Sequence, residues 1–187
     1  MRVIAGSAKG RKLGPVPPGV RPVSDRAREG LFSSLAAQVP GARVLDLYAG
    51  TGAMGIEALS RGAEGAVFVE RSAETCAVIY ANLVLTGLQD RAKVVAAEAL
   101  AYLTGQDRSP GPFDLVLIDP PYKLAGPDLA DVLHELSSGW LAEGGWRVAL
   151  TRRVKSSTPV IPVDWAVTRQ LRYGDSLVIS YREVSWA

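Results

Sequence analysis

The chain is poor in the residues that most often run metal and nucleophilic chemistry: among 187 residues, Cys76 is the only cysteine and His134 the only histidine. One cysteine excludes an intrachain disulfide and a cysteine-rich metal centre. With a single histidine, a histidine-dependent triad or a histidine-rich metal centre is close to excluded. No apolar run approaches the roughly 18 residues of a membrane span. Residues 1–6 lack the long apolar stretch of a secretory leader, so a cytoplasmic protein is expected. His134 reads as a surface or packing residue, Cys76 as a small core residue, and Trp140, Trp146 and Trp165 as packing rather than as platforms for bases. Trp186 lies too close to the terminus to read.

Acidic charge is scarce at one end. Residues 1–43 carry eight lysines or arginines against only Asp25 and Glu29, whereas the rest holds 13 basic and 17 acidic residues, for a net charge of +2. A basic arm on a mildly acidic body suits a polyanionic partner. The length fits one domain with a small appendage, divided here into a basic N-terminal extension over 1–40 and a main domain over 41–187.

Short strands near 3–6 and 11–13 suggest a hairpin. Pro15, Pro17, Pro18 and Pro22 exclude a helix after it. Ser24 or Asp25 can cap a helix that runs to about residue 37 and puts Leu31, Phe32 and Leu35 on one face. Strands then alternate with helices. Strands are expected at 44–48, 66–70, 92–96, 113–119 and 146–151, and helices at 53–60, 72–85, 100–103 and 127–138. Such alternation predicts an α/β fold, a doubly wound, mostly parallel sheet covered on both faces. The runs 165–173 and 176–182 flank the turn Gly174-Asp175 and add an antiparallel hairpin, which makes seven strands.

Gly50-Thr51-Gly52-Ala53-Met54-Gly55 is a G-x-G-x-x-G run placed after a strand and before a helix, where glycines permit a tight turn and close approach of a ligand. Glu70, 20 residues beyond Gly50, can accept both ribose hydroxyls of an adenosine. Asp46 sits just before the loop, with Tyr48 and Ala49 between. Two unit charges about 4 Å apart at an effective dielectric near 20 interact by about 4 kcal/mol, and here the sign decides. A carboxylate would repel a dinucleotide's pyrophosphate and favour the ammonium and sulfonium of S-adenosylmethionine. Arg71 and Thr51 complete the loop's surroundings. Glu98 can accept the adenine amino group while the Ala99 N–H donates to the ring, although Glu98 can equally serve as a charge at a helix N-terminus.

Asp119-Pro120-Pro121-Tyr122 closes the fourth strand at the same edge. An exocyclic base amine is a poor nucleophile because its lone pair is spread into the ring. The Asp119 side chain and the Pro120 carbonyl can accept its two N–H bonds and favour a tetrahedral nitrogen. The Pro120-Pro121 pair stiffens the turn, and Tyr122 can stack on the base. Positive charge develops on nitrogen as the methyl arrives, so Asp119 can stabilise it and take the proton. No metal is needed.

These residues carry a family resemblance. Asp46-Leu47-Tyr48-Ala49-Gly50-Thr51-Gly52, Glu70-Arg71 and Asp119-Pro120-Pro121-Tyr122 resemble amino-methyltransferases of nucleic acids. With Arg2-Val3-Ile4-Ala5-Gly6, Gly10-Arg11-Lys12-Leu13, Arg21-Pro22-Val23-Ser24-Asp25-Arg26 with Arg28-Glu29, and Gly52-Ala53-Met54-Gly55-Ile56-Glu57-Ala58-Leu59-Ser60-Arg61-Gly62, the chain resembles the bacterial small-subunit ribosomal RNA guanine-N2 methyltransferases. The resemblance implies a class I, Rossmann-like fold, S-adenosylmethionine as methyl donor, and one guanosine of 16S rRNA as acceptor, on an assembling 30S subunit. It departs at Glu98, where the family favours Asp, and at Ser24, where Thr is commoner. The target base must be unpaired or flipped out, at a cost of a few kcal/mol. Arg2, Lys9, Arg11, Lys12, Arg21 and Arg26 are candidates to hold its phosphates, with Arg152 and Arg153 at the end of strand five. A monomer is expected. The residues alone leave open an adenine-N6 enzyme, a silent cofactor-binding assembly factor and an NAD-dependent oxidoreductase.

Overall fold

The computed structural model describes residues 1–16, 23–105, 107, 108 and 110–184. Pro17, Pro18, Arg21, Pro22 and Trp186, named above, lie outside them. The elements run α1 (Asp25–Ser34), β1 (Arg43–Leu47), α2 (Ala53–Ser60), β2 (Gly65–Glu70), α3 (Ala73–Thr86), β3 (Ala92–Ala96), α4 (Ala99–Thr104), β4 (Leu115–Ile118), α5 (Gly126–Ser137), β5 (Arg147–Arg153), β6 (Trp165–Tyr173) and β7 (Ser176–Glu183). The seven strands follow the order β3-β2-β1-β4-β5-β7-β6. The first five are parallel, and β7 and β6 join antiparallel.

Alternation along each strand builds two cores. Val44, Phe68, Leu115, Leu117 and Ala149 pack under α1, α2 and α3. Leu45, Leu47, Val67, Val116, Ile118 and Val148 pack under α4 and α5, together with Trp140, Trp146 and Trp165. Burial on both faces explains the near-continuous apolar strands of the sequence. Trp140 is fully buried, with its indole N–H donating to the Leu103 carbonyl at 3.0 Å. His134 lies exposed on α5.

Element ends differ from expectation where a neighbour decides them. The parallel ladder shortens β4 to four residues, leaving Phe113 in an isolated bridge to Leu141. Strand β5 runs two residues further than expected, because β7 pairs Arg152 with Leu177 and Arg153 with Ser176. Helix α1 stops at Ser34, where Leu35 caps it.

The N-terminal hairpin is real but small, with one antiparallel bridge between Arg2 and Lys12. It is docked along α2 rather than free. Ile4 and Ala5 donate their backbone N–H groups to the two Glu57 carboxylate oxygens at 2.8 and 3.0 Å. The Ser60 carbonyl accepts from the Ser7 N–H at 2.8 Å. A Cβ on Gly6, whose φ is +85°, would fall 1.8 Å from that carbonyl oxygen, so only glycine fits there. Val3, Ala8 and Leu13 join the same core as α1 and α2.

Candidate active site

Chain order reverses between β1 and β4: the strands step outward from β1 to β3, then return to the other side of β1 at β4. Open α/β sheets bind ligands at the carboxyl ends of strands that flank such a switch. The Asp119 N–H donates to the Leu47 carbonyl at 3.5 Å, so the two strand ends touch there. A cavity of about 500 Å³ opens above them, within the usual size range for small-ligand sites. Asp46, Gly50, Glu70, Asp119 and Tyr122 all line it.

The glycine run forms as expected. Gly52 caps α2 at φ +77°, and Tyr48 is the one non-glycine residue among those described with positive φ, at 58°. Strain of that kind gathers at ligand sites. Gly55 serves a different need: a Cβ there would come within 2.3 Å of the Phe68 ring, so glycine lets α2 press onto β2. The Gly55 N–H donates to the Asp46 carboxylate at 2.8 Å. Asp46 therefore caps the loop and lines the cavity at once. Burial raises its pKa well above the ordinary value. The Gly55 bond opposes that shift, and nearby Asp119 and Glu70 add to it. No cation pairs with Asp46 among the described residues. A buried carboxylate of this kind gains from a positively charged ligand.

Glu70 ends β2 and ties two elements together, accepting from the Gly50 N–H at 3.1 Å and the Ser72 N–H at 3.0 Å. Each oxygen keeps a further lone pair for a ligand hydroxyl. Cys76 is half-buried rather than core, and its thiol donates to the Glu70 carbonyl at 3.3 Å. Burial raises the Cys76 thiol pKa, and Glu70 adds to the shift. Glu98 caps no backbone N–H with its side chain and stands exposed at the rim, 4.0 Å from Arg71. Ala99 is buried beside it. Burial, aided by Glu98 and Asp128, pushes the Tyr48 hydroxyl up to about 12, so it stays a neutral donor and acceptor.

On the other side of the cavity, the Leu124 N–H closes a turn onto the Pro121 carbonyl at 2.9 Å. Pro120 is buried, and Tyr122 keeps 37% of its surface exposed. The Arg153 guanidinium lies 5.1 Å from the centre of the Tyr122 ring, a cation–π contact. The Asp46 carboxylate, near the end of β1, and the Asp119 carboxylate, just after β4, thus line one space.

The family described as conserved hypothetical protein 95 matches residues 1–182. This chain belongs to it. It is similar to ribosomal RNA small subunit methyltransferase D of Escherichia coli (strain K12), with 36% identity over 185 residues, 97% of this chain and 88% of that protein. The Haemophilus influenzae protein of the same name is 31% identical, over 97% of this chain and 92% of its own. Among solved structures, yhhF of Escherichia coli superimposes with a TM-score of 0.86 at 33% identity, covering 99% of this chain and 98% of that one. The fold is that of the class I S-adenosylmethionine-dependent methyltransferases.

The basic residues divide. Arg2, Lys9, Arg11, Lys12 and Arg26 are exposed, but none lines the cavity. Arg11 also donates to the Leu85 carbonyl near the C-terminal end of α3 at 3.1 Å. Arg152 is half-buried, and only Arg153 reaches the site, through Tyr122. Lining residues not anticipated as site residues include Val23, Met54, Lys123, Leu124, Thr151 and Ser176. Thr151 is the most informative, because its hydroxyl is buried with no hydrogen-bond partner. Asn82, also missed, is fully buried; it donates to the Thr51 carbonyl at 2.9 Å and accepts from the Gly14 N–H at 2.7 Å. No cluster of three or more metal-binding side chains exists among the described residues, and none of the described helices is long and apolar enough to cross a membrane.

Proposed function

We propose that this chain methylates the exocyclic N2 of a guanosine in 16S ribosomal RNA, using S-adenosylmethionine. The observation that carries the proposal is the shared cavity: Asp46 with the glycine loop on one side, Asp119 with its two prolines on the other. The cavity fits the donor in chemistry as well as size. The buried Asp46 carboxylate favours a cation, and Glu70 has lone pairs for ribose hydroxyls. When bound, the donor supplies an electrophilic methyl group on a positively charged sulfur.

The chain's own residues do the rest. Asp119 and the Pro120 carbonyl accept the two amine N–H bonds, which frees the nitrogen lone pair for attack. Asp119 offsets the positive charge that grows on nitrogen and takes the surplus proton once the N–C bond has formed. Tyr122, held from one side by Arg153, stacks on the base. Residues 1–40 act as an RNA-contacting extension of a catalytic domain over 41–187, working as a cytoplasmic monomer on assembling 30S subunits. The relatives named as small-subunit rRNA methyltransferases support this substrate class.

The test is transfer of radiolabelled methyl groups to naked 16S rRNA and to 30S subunits from a strain lacking this chain, with the product nucleoside identified by mass spectrometry. N2-methylguanosine is expected. N6-methyladenosine would replace the acceptor, and no transfer to either substrate would overturn the reading.

A further inference from the structure

A second cavity, of about 280 Å³, lies between the C-terminal end of α1 and the β6–β7 hairpin. Three arginines line it, Arg147, Arg169 and Arg182, and no carboxylate does. It belongs to the other edge of the sheet. Arg147 opens β5 and Arg153 closes it, so at ~3.3 Å per residue the two ends stand about 20 Å apart.

The arrangement gathers like charge without relief. Val148 pairs with Tyr181 in the antiparallel ladder, so Arg147 and Arg182 fall opposite each other in the next step. Arg169 pairs with Ser180, which puts it diagonal to Arg182. Like charges placed this way destabilise a sheet. Acidic residues outnumber basic ones in residues 44–187, yet none forms an ion pair with Arg169 or Arg182 among the described residues. Arg147 is partly spent, because its guanidinium donates to the Trp146 carbonyl at 2.8 Å and the Gly145 carbonyl at 3.4 Å. The hydroxyls of Ser34 and Thr168 already donate to the Leu31 and Ser180 carbonyls. The guanidinium groups of Arg169 and Arg182 are thus the donors turned to a ligand, and their forked N–H groups match the oxygens of a phosphate.

We propose that this cavity anchors a backbone phosphate of the RNA substrate, far from the methyl-transfer site. The inference rests on the RNA-methylating function above. It gives the main domain a grip of its own, separate from the basic N-terminal arm.

The test compares wild type with an Arg169→Ala/Arg182→Ala double variant. Binding to 16S rRNA from a strain lacking this chain is measured from about 50 to about 200 mM salt, where phosphate contacts dominate the salt dependence. Loss of one phosphate contact should weaken Kd about tenfold and make the slope of log K against log salt shallower by about one. The KM for RNA should rise while kcat and the cofactor Kd stay unchanged and Tm stays level or rises, because like charges are removed. An unchanged Kd and slope would overturn the proposal, and so would a weaker Kd at unchanged slope. Lys93→Ala removes an exposed charge on β3, outside the cavity; an equal loss there would overturn the proposal too, by revealing only a diffuse field. The expected difference between wild type and variant, found with a wild type that transfers no methyl, would remove the catalytic reading and leave the anchor standing.

Discussion

Asp46 and Glu57 are acids 11 positions apart, on β1 and α2, and both are fully buried, at 1% and 0% exposure. Their surroundings are opposite. Glu57 accepts two backbone N–H groups from the N-terminal hairpin, bonds Arg61 at 2.7 Å and lies 3.8 Å from Arg28. Asp46 has one backbone bond, two neighbouring carboxylates and no cation. The first acid is satisfied by its own chain and holds the fold together. The second is left in need of a positive charge, at the point where a ligand would enter. The same side-chain chemistry thus separates a structural residue from one proposed to bind a ligand by what is missing around it.

The comparison can be broken in several ways, the largest first. Asp119→Ala should lower kcat by about a thousandfold, some 4 kcal/mol of barrier, while calorimetry shows nearly unchanged cofactor affinity; normal turnover would remove Asp119 from the chemistry. Glu57→Ala should cost about 2–4 kcal/mol in denaturant unfolding, because it leaves two N–H groups without their acceptor and the buried Arg28 with Asp25 as its remaining acidic partner. Asp46→Asn should act the other way on the two readouts. Cofactor binding should weaken about 10- to 100-fold, or about 1.4–2.7 kcal/mol, while the ligand-free protein becomes no less stable. Loss of stability equal to that of Glu57→Ala would erase the distinction.

The pH dependence sharpens it further. A carboxyl whose pKa is raised on folding binds its proton more tightly in the native state, so Asp46 favours folding most at low pH. That contribution is lost as pH rises from the ordinary carboxyl value, about 3.9, through the raised one. Affinity for a cationic ligand should run in the opposite sense, falling as pH drops through the raised value, and titration calorimetry at several pH values would show it. The smallest effect is expected at Thr151. Replacing it with Val removes a buried hydroxyl that has no partner, so Tm should stay level or rise by a degree or two.

Much of this was legible locally. The Gly174-Asp175 turn marks the end of β6 at Tyr173 and the start of β7 at Ser176, and the glycine run and the tetrapeptide each announce a strand end. What could not be read joins distant positions. The Glu57 bonds to Ile4 and Ala5 span 53 and 52 residues, and no periodicity carries such information. One signal was nonetheless present: Glu57 is the only charge in an otherwise apolar or small-residue helix, Ala53–Ser60, every residue of which is buried. The two extra residues of β5 depend on β7, which supplies their partners. Ser176 meets the cavity because a hairpin from the far end of the chain lies beside β5.

Asn82 gives one carboxamide two duties, one oxygen for the hairpin and one nitrogen for the glycine loop. Trimming the first 14 residues would therefore take away more than a set of positive charges. It would strip a brace from the floor of the proposed donor site, so a shortened chain should lose grip on that donor even when no nucleic acid is in the tube.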